Sequence, residues 1–185
     1  MTYASPLNRR PAYSFVAAVN ITGSNNDAVP WGTPLPPDAA SYPSQADEQA
    51  SRATANRLWI DRAFAAATAL RAPGIVLLFQ ADMWDITEPS LTGFDVLVQQ
   101  IGTRAAAFGK PVLLLEGDSH VFRVDQPYTS TSPLFALHPN TPIAPNVTRL
   151  VVNGSGSRTE YVRLTIDPTA KGVSPFTFVE VPLVP

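Results

Sequence analysis

Two uninterrupted apolar runs, at residues 75–79 and 112–115, constrain the fold of this chain more than any other feature of its sequence. A strand with one face in water alternates apolar and polar residues, whereas a strand buried on both faces is apolar throughout. Each run follows a segment with helix signals, and strands that alternate with helices usually belong to a parallel sheet. The sequence therefore predicts an α/β fold with these runs inside the sheet.

The segments that precede the two runs carry the helix signals. A first helix is predicted from Ser44 to about Arg71, because the Ser44 hydroxyl can accept a hydrogen bond from a free amide of the first turn. A second helix is predicted for residues 90–108, where apolar side chains recur at helical spacing and Gly109 supplies a stop signal. With a further strand predicted at 13–21, strands and helices alternate, and the helices should pack on the sheet.

The last third of the chain is predicted to contain strands and no helix. The predicted strands span residues 121–125, 147–153, 159–167 and 175–183. They predict an antiparallel β-meander that follows a helix-flanked β-sheet or β-sandwich, and residues 28–43, with five prolines, are predicted to form a long loop. We expect one mixed α+β domain over residues 1–185, with a first part at 13–120 and the meander at 121–185.

Composition excludes several classes of function. Because the chain has no cysteine, it cannot form disulfides or thiolate metal sites, and any metal would need oxygen and nitrogen ligands. The formal net charge of -2 and the lack of a long basic run argue against nucleic acid or an anionic membrane as a partner. The apolar runs are far shorter than the about 20 residues of a membrane span, and the polar start has no apolar leader core, so a cytoplasmic location is expected.

Polar residues follow three predicted strands at the point where each strand ends. Ligands of open α/β sheets bind beyond the carboxyl ends of the strands, so these residues form the candidate site. They are Asn20, Asn25 and Asn26 after the first strand, Gln80, Asp82 and Trp84 after the second, and Asp118 and His120 after the third. Their convergence at one sheet edge is the signal, because each cluster alone is also typical of turns.

The Gly-Asp-Ser-His segment at 117–120 has the most specific chemistry. A carboxylate and an imidazole two residues apart can bind one metal or phosphate where a glycine lets the backbone turn, and the alternative is a turn with a structural histidine. For Asp82 and Trp84 the alternatives are a loop anchor and a core aromatic. His138, in a proline-rich stretch, is expected to be a solvated loop residue.

Gln-Ala-Asp-Met-Trp after one buried strand, and Gly-Asp-Ser-His-Val-Phe-Arg-Val-Asp after the next, resemble the C-terminal half of calcineurin-like metallophosphoesterases. The resemblance covers about residues 13–184, and a bacterial subgroup has Gly-Asp-Ser-His where the broader family has Gly-His-x-His. It implies a hydrolase whose metal-bound hydroxide attacks phosphorus, with divalent Mn, Zn, Fe or Mg as the cofactor. It also implies Asp118, His120 and Gln80 as metal ligands, and Asp118 and His120 as catalytic groups. From their position at the same sheet edge, the remaining candidates are expected to bind substrate.

The family motifs Asp-x-His, Gly-Asp-x-x-Asp and Gly-Asn-His-Glu, which supply the remaining ligands, have no counterpart in this sequence. Three interpretations stay open. The chain is a phosphoesterase whose site is completed by a second copy in a twofold homodimer, or a metal-poor relative that binds a phosphate-like ligand without turnover. Alternatively, it is a non-catalytic interaction or oligomerising domain.

Overall fold

The structure is a computed structural model and describes residues 15–30, 44–154, 160–170 and 174–183. Most of the predicted 28–43 loop lies outside these residues. Five strands form one sheet: β1 (Phe15–Ala18), β2 (Ile75–Leu78), β3 (Val112–Glu116), β4 (Arg123–Asp125) and β5 (Val147–Val151). The mixed α/β class is confirmed, and the two apolar runs form the neighbouring strands β2 and β3 in the middle of the parallel part.

The strand order in this sheet is β1-β2-β3-β5-β4. Strands β1, β2, β3 and β5 are parallel, and β4 runs antiparallel to β5. Strand β5 therefore inserts between β3 and β4, and the predicted meander is divided. Because β4 is antiparallel to β5, it returns the chain to the edge at which β5 begins, and the connection at 126–146 joins the two strands at that edge.

Two helices lie between the first three strands in the chain, as predicted. Helix α1 (Gln45–Ala69) begins after Ser44, whose hydroxyl accepts a hydrogen bond from the Asp47 amide at 3.2 Å. Helix α2 (Asp95–Phe108) follows a 3-10 turn and ends at Gly109, which has a φ of 65°. Glycine adopts this left-handed conformation without a steric penalty, so both caps follow from local sequence.

The sheet is covered on both faces. Side chains of α1 and α2, such as Phe64 and Ile101, pack against Leu77 and Leu114 on one face. The antiparallel pair of β6 (Glu160–Ile166) and β7 (Phe176–Pro182) lies on the other face, where Phe176 contacts a cluster built from β2, β3 and β5. Side chains alternate between faces along a strand, so burial of both faces explains the apolar runs. None of the described helices is long and apolar enough to cross a membrane.

Candidate functional site

The carboxyl ends of β1, β2 and β3 meet at one edge of the sheet, and backbone hydrogen bonds hold their loops together. The Ala81 amide donates to the Ile21 carbonyl at 3.2 Å, and the Gly117 amide donates to the Gln80 carbonyl at 3.1 Å. Backbone hydrogen bonds alone therefore join the three loops. A ligand at this edge would meet residues from all three strand ends.

A polar cleft of about 370 Å³ opens between these loops, and we call it the carboxyl-edge cleft. Its lining includes Asn20, Gln80 and Asp118 from the three strand ends, with Asp27, Glu48 and Arg52 beside them. Three of the candidate residues are therefore brought together, one from each strand end. Carboxylate and amide oxygens are ligands that hard divalent cations accept.

Gln80 joins two of these loops through its side chain. The Gly23 amide donates to Gln80 Oε1 at 2.5 Å, and Gln80 Nε2 donates to Asp118 Oδ1 at 2.6 Å. The other oxygen of Asp118 lies so close to Gly23 that a Cβ there would overlap the carboxylate. The position of Asp118 in the cleft thus depends on the lack of a side chain at residue 23.

Replacement of Gly23 by Ala is expected to displace the Asp118 carboxylate and to break its hydrogen bond with Gln80. The displaced group is the end of a flexible side chain, so the free energy of unfolding should fall by no more than about 1.5 kcal/mol. The measurement is the nitrogen NMR signal of the Gln80 side-chain amide. Gly117→Ala is the matched control, because its added Cβ would meet the Gln80 carbonyl oxygen at an ordinary 3.4 Å. An unmoved Gln80 signal in G23A would contradict this prediction.

Arg52 neutralises one side of the cleft and holds its wall. Its Nε donates to Glu48 Oε1 at 2.8 Å, and its Nη1 donates to Asn26 Oδ1 at 2.7 Å. The hydrogen bond from Arg52 lowers the pKa of Glu48, so this carboxyl stays ionised at neutral pH. Because Asp27, Glu48 and Asp118 line the cleft with a single guanidinium, the cleft carries an excess of negative charge and favours cations.

The wall of the cleft at Gly23–Asp27 is a left-handed turn. Ser24, Asn25, Asn26 and Asp27 all have positive φ, between 52° and 63°. Left-handed backbone costs roughly 1–2 kcal/mol for each non-glycine residue, so this turn must be held by its surroundings. It is one of the features that sequence reasoning missed, because Ser, Asn and Asp are typical of many other turns.

Asn25 and Asn26 hold this turn with buried side chains. Asn25 Oδ1 accepts from the Gly93 amide at 2.7 Å, and Asn26 Nδ2 donates to the Gly93 carbonyl at 3.1 Å. Both asparagines are less than a tenth exposed, and neither lines the cleft. Their side chains face the 90–93 segment and Arg52 instead of solvent. The structure therefore places these two predicted substrate-binding residues behind the cleft wall.

Asp82 and Trp84 also lie behind the cleft, in a buried network around Arg149. Asp82 Oδ1 accepts from Arg149 Nη1 at 2.5 Å and from the Trp84 amide at 3.0 Å. Arg149 also donates from Nε and Nη2 to Asp125, at 2.9 and 2.6 Å. The Arg149 guanidinium lies 5.5 Å from the centre of the Trp84 ring. Of the alternatives for these two residues, the structure shows the loop anchor and the core aromatic.

Sequence reasoning missed Arg149, although a signal for it exists. It stands in the middle of β5, where Val147, Leu150 and Val151 are buried, and it is itself only 1% exposed. A cation inside a buried strand requires a partner anion, because an unpaired buried charge is strongly destabilising. The buried Asp82, which sequence reasoning placed near substrate, is that partner.

Glu116, the last residue of β3, is the second carboxyl buried beside Arg149. Its Oε2 lies 3.8 Å from Arg149 Nη1, and neither of its oxygens has a hydrogen-bond partner in the described structure. Burial raises the pKa of Glu116 well above its ordinary value, although the charge of Arg149 acts in the opposite direction. Asp82 and Asp125 add to the increase, because like charges nearby favour the neutral acid.

The loop after β3 is strained at the two residues that sequence reasoning singled out. Asp118 and His120 have φ values of 66° and 58°, while Ser119 between them donates its hydroxyl to Asp82 Oδ2 at 2.7 Å. A hydrogen bond to a charged group stabilises by about 1.5–3 kcal/mol, which is comparable to the strain of two left-handed residues. His120 is exposed and packs against Gly154, and it is not among the residues that line the cleft.

The expectation that His138 is a solvated loop residue is wrong. His138 is 2% exposed, with Nδ1 at 2.7 Å from Asp95 Oδ1 and Nε2 at 2.8 Å from the Met83 carbonyl. Its ring also meets Trp84 edge-to-face at 5.5 Å between centroids. The histidine is buried because it fastens the 83–84 loop to the start of α2, and partners on both ring nitrogens offset the loss of water.

A dinuclear metal centre of the kind implied by the resemblance does not fit the described part of one chain. Within residues 15–30, 44–154, 160–170 and 174–183, no three His, Asp or Glu side chains converge as a metal site. The donors of the cleft suit a hard cation in type, but its three carboxylates do not converge on one point in the described structure.

Comparisons with known protein families, with curated proteins and with solved structures each gave no match.

Proposed function

We propose that the carboxyl-edge cleft is one part of the active site of a metal-dependent phosphoester hydrolase, completed by a second copy of the chain. The observation that carries the proposal is the convergence of Asn20, Gln80 and Asp118 from three strand ends on one open cleft. Ligand sites of parallel sheets lie at such edges. The similarity of the 117–120 segment to the metallophosphoesterase motif supports the same chemistry.

The charge of the cleft supports dependence on a cation. Asp27, Glu48 and Asp118 outnumber the single guanidinium of Arg52, which is already occupied by Glu48 and Asn26. Such a cleft repels a phosphate ester unless a divalent cation accompanies it, because like charges repel most strongly where water is partly excluded. Asp118 and Gln80 of the cleft are proposed to contribute to cation binding from this chain. His120, which follows Asp118 by two residues but lies outside the cleft lining, is proposed to join them in the site completed by the second copy.

Other residues of the chain orient the proposed ligands. The Gln80 amide group restrains one oxygen of Asp118, while its own carbonyl oxygen is fixed by the Gly23 amide. Arg52 keeps Glu48 ionised and ties α1 to the left-handed turn. Fixed donors and acceptors of this kind lower the reorganisation that accompanies a reaction, and they are therefore expected in a catalytic cleft.

We expect hydrolysis of p-nitrophenyl phosphate or bis-p-nitrophenyl phosphate in the presence of Mn²⁺, Zn²⁺ or Fe²⁺. Asp118→Asn and His120→Ala should each lower kcat/KM by about 100-fold or more, as loss of a metal ligand or acid–base group does. The control is Asp167→Asn in the turn between β6 and β7, since an amide oxygen can still accept the bonds from Thr169. Activity that is unchanged in both D118N and H120A would overturn the catalytic assignment.

Sedimentation of the active protein tests the second copy. The expected species is a dimer that loses activity on dilution, because each copy offers only part of the ligand set. Full activity of a monomer would contradict the shared site while leaving the hydrolase proposal intact.

A second candidate function is binding of a polar ligand without turnover. It is favoured by the mutual hydrogen bonds of Gly23, Gln80 and Asp118, which satisfy these groups without a metal. This candidate predicts no hydrolysis with any of the three metals, and a phosphate ester added together with Zn²⁺ would still shift the NMR signals of cleft residues. Hydrolysis that depends on Asp118 would exclude it.

A further inference from the structure

Ser119 lies between the two residues of the chain with the most specific chemistry, and the proposed reaction gives it no role. Its hydroxyl donates to Asp82 Oδ2 at 2.7 Å. On either side, Asp118 and His120 have left-handed backbone, with φ of 66° and 58°. Within residues 118–120, Ser119 is thus the residue whose side chain is bonded to Asp82. It lies between the two residues with left-handed backbone.

The acceptor of this hydrogen bond is fixed. The Asp82 side chain has no exposed surface, and its other oxygen is held by the Trp84 amide and by Arg149. Arg149 in turn is held by Asp125 on the antiparallel strand β4. Because Asp82 is held in place by these groups, its hydrogen bond with Ser119 restrains the position of the loop.

The backbone hydrogen bonds of the same loop do not involve Asp82. The Gly117 amide donates to the Gln80 carbonyl at 3.1 Å, which fixes the start of the loop next to β2. The Ser119 amide donates to the Gly117 carbonyl at 2.9 Å, which closes a tight turn within the loop. Neither bond reaches the buried network, so the Ser119 hydroxyl is what connects this turn to Asp82.

We propose that Ser119 is a positioning residue for Asp118 and His120. Its hydrogen bond to Asp82 selects the left-handed backbone on both sides, which directs the Asp118 carboxylate to Gln80 and sets the direction of His120. A group that orients functional residues without touching the ligand usually affects affinity or rate by about 10–100-fold. The effect on hydrolysis rests on the proposed function, whereas the effect on backbone conformation does not.

The test compares Ser119→Ala with Ser119→Thr, which keeps the hydroxyl. The first readout is NMR of the metal-free protein, through the backbone couplings and carbon shifts that report φ at Asp118 and His120. We expect S119A to lose the left-handed signature at both residues and S119T to retain it. The second readout is kcat/KM for p-nitrophenyl phosphate with Mn²⁺, expected to fall about 10–100-fold in S119A and to be restored in S119T. Ser132→Ala, in the loop after β4, is the control and should match the parent protein in both.

Left-handed backbone that persists at both residues in S119A would overturn the proposal. A conformational change in S119A, with no hydrolysis by the parent protein, would leave the positioning role intact and contradict the proposed function. Ser119→Cys provides a milder change if S119A does not fold, because a thiol is a weaker donor. Its expected result is a partial loss of the left-handed signature, and full retention would count against the proposal.

Discussion

Replacement of Arg149 by Met is expected to lower the free energy of unfolding by about 3–5 kcal/mol. The substitution leaves Glu116 without the Arg149 charge and leaves Asp82 with only Arg123, at 3.6 Å, as a counter-charge. Asp125 loses both of its hydrogen bonds to the guanidinium. Methionine fills similar space, so the loss measures the uncompensated carboxyls more than a cavity. Urea denaturation followed by tryptophan fluorescence gives the value, since the Arg149 guanidinium lies against Trp84.

Arg104→Met is the matched control for this prediction. Arg104 also donates two hydrogen bonds to one carboxylate, Asp61, but both side chains are more than a third exposed. Exposed ion pairs contribute about 0–1 kcal/mol, because water already solvates each charge. If R149M and R104M lower the free energy of unfolding by similar amounts, burial does not determine how much the Arg149 network contributes to stability.

Replacement of Glu116 by Gln is expected to change how stability depends on pH. A carboxyl whose pKa is raised by folding contributes its stability below the ordinary value of 4.5 and loses it as the pH rises through the folded value. Between those two values the parent protein should lose about 1.4 kcal/mol per pH unit relative to E116Q. The glutamine variant cannot ionise, so it should be the more stable protein at the alkaline end of the range.

The measurement is chemical unfolding of both proteins between pH 5 and 9 in the presence of a chelator. Comparison of the two proteins removes the contributions of carboxyls with lowered pKa, such as Glu48 and Asp61, because both proteins contain them. Glu88→Gln, outside the Arg149 network, should give a curve parallel to that of the parent. Parallel curves for the parent and E116Q would mean that Glu116 holds the same number of protons in the folded and unfolded chains.

The parts of the fold that depend on local sequence were predicted closely. Ser44 and Gly109 mark helix ends through their own side-chain or backbone properties, and the apolar runs identify buried strands wherever they occur. The meeting of Asn20, Gln80 and Asp118 was predictable because parallel strands place their carboxyl ends at one edge. These inferences need no knowledge of distant contacts.

The remaining features depend on partners far away in the chain. His138 is buried because it bonds Asp95 and Met83, which lie 43 and 55 residues away in the chain. The proline-rich sequence around His138 does not indicate either partner. Asp82 is a structural anion because Arg149, 67 residues later, reaches it. A polar residue after a strand can face a ligand or a buried counter-charge, and only the tertiary structure distinguishes the two.

The insertion of β5 between β3 and β4 determines when the candidate site can form. During synthesis the residues of the cleft, from Asn20 to Asp118, leave the ribosome before Arg149 does. Asp82 then has no buried counter-charge, and β4 has no strand beside which to pair, because β5 is its partner in the sheet. Pairing of distant segments is slow compared with local structure. The strained loop that carries Asp118 and His120 is therefore expected to acquire its shape only after residue 151 has been made, so that the nascent chain presents no competent cleft.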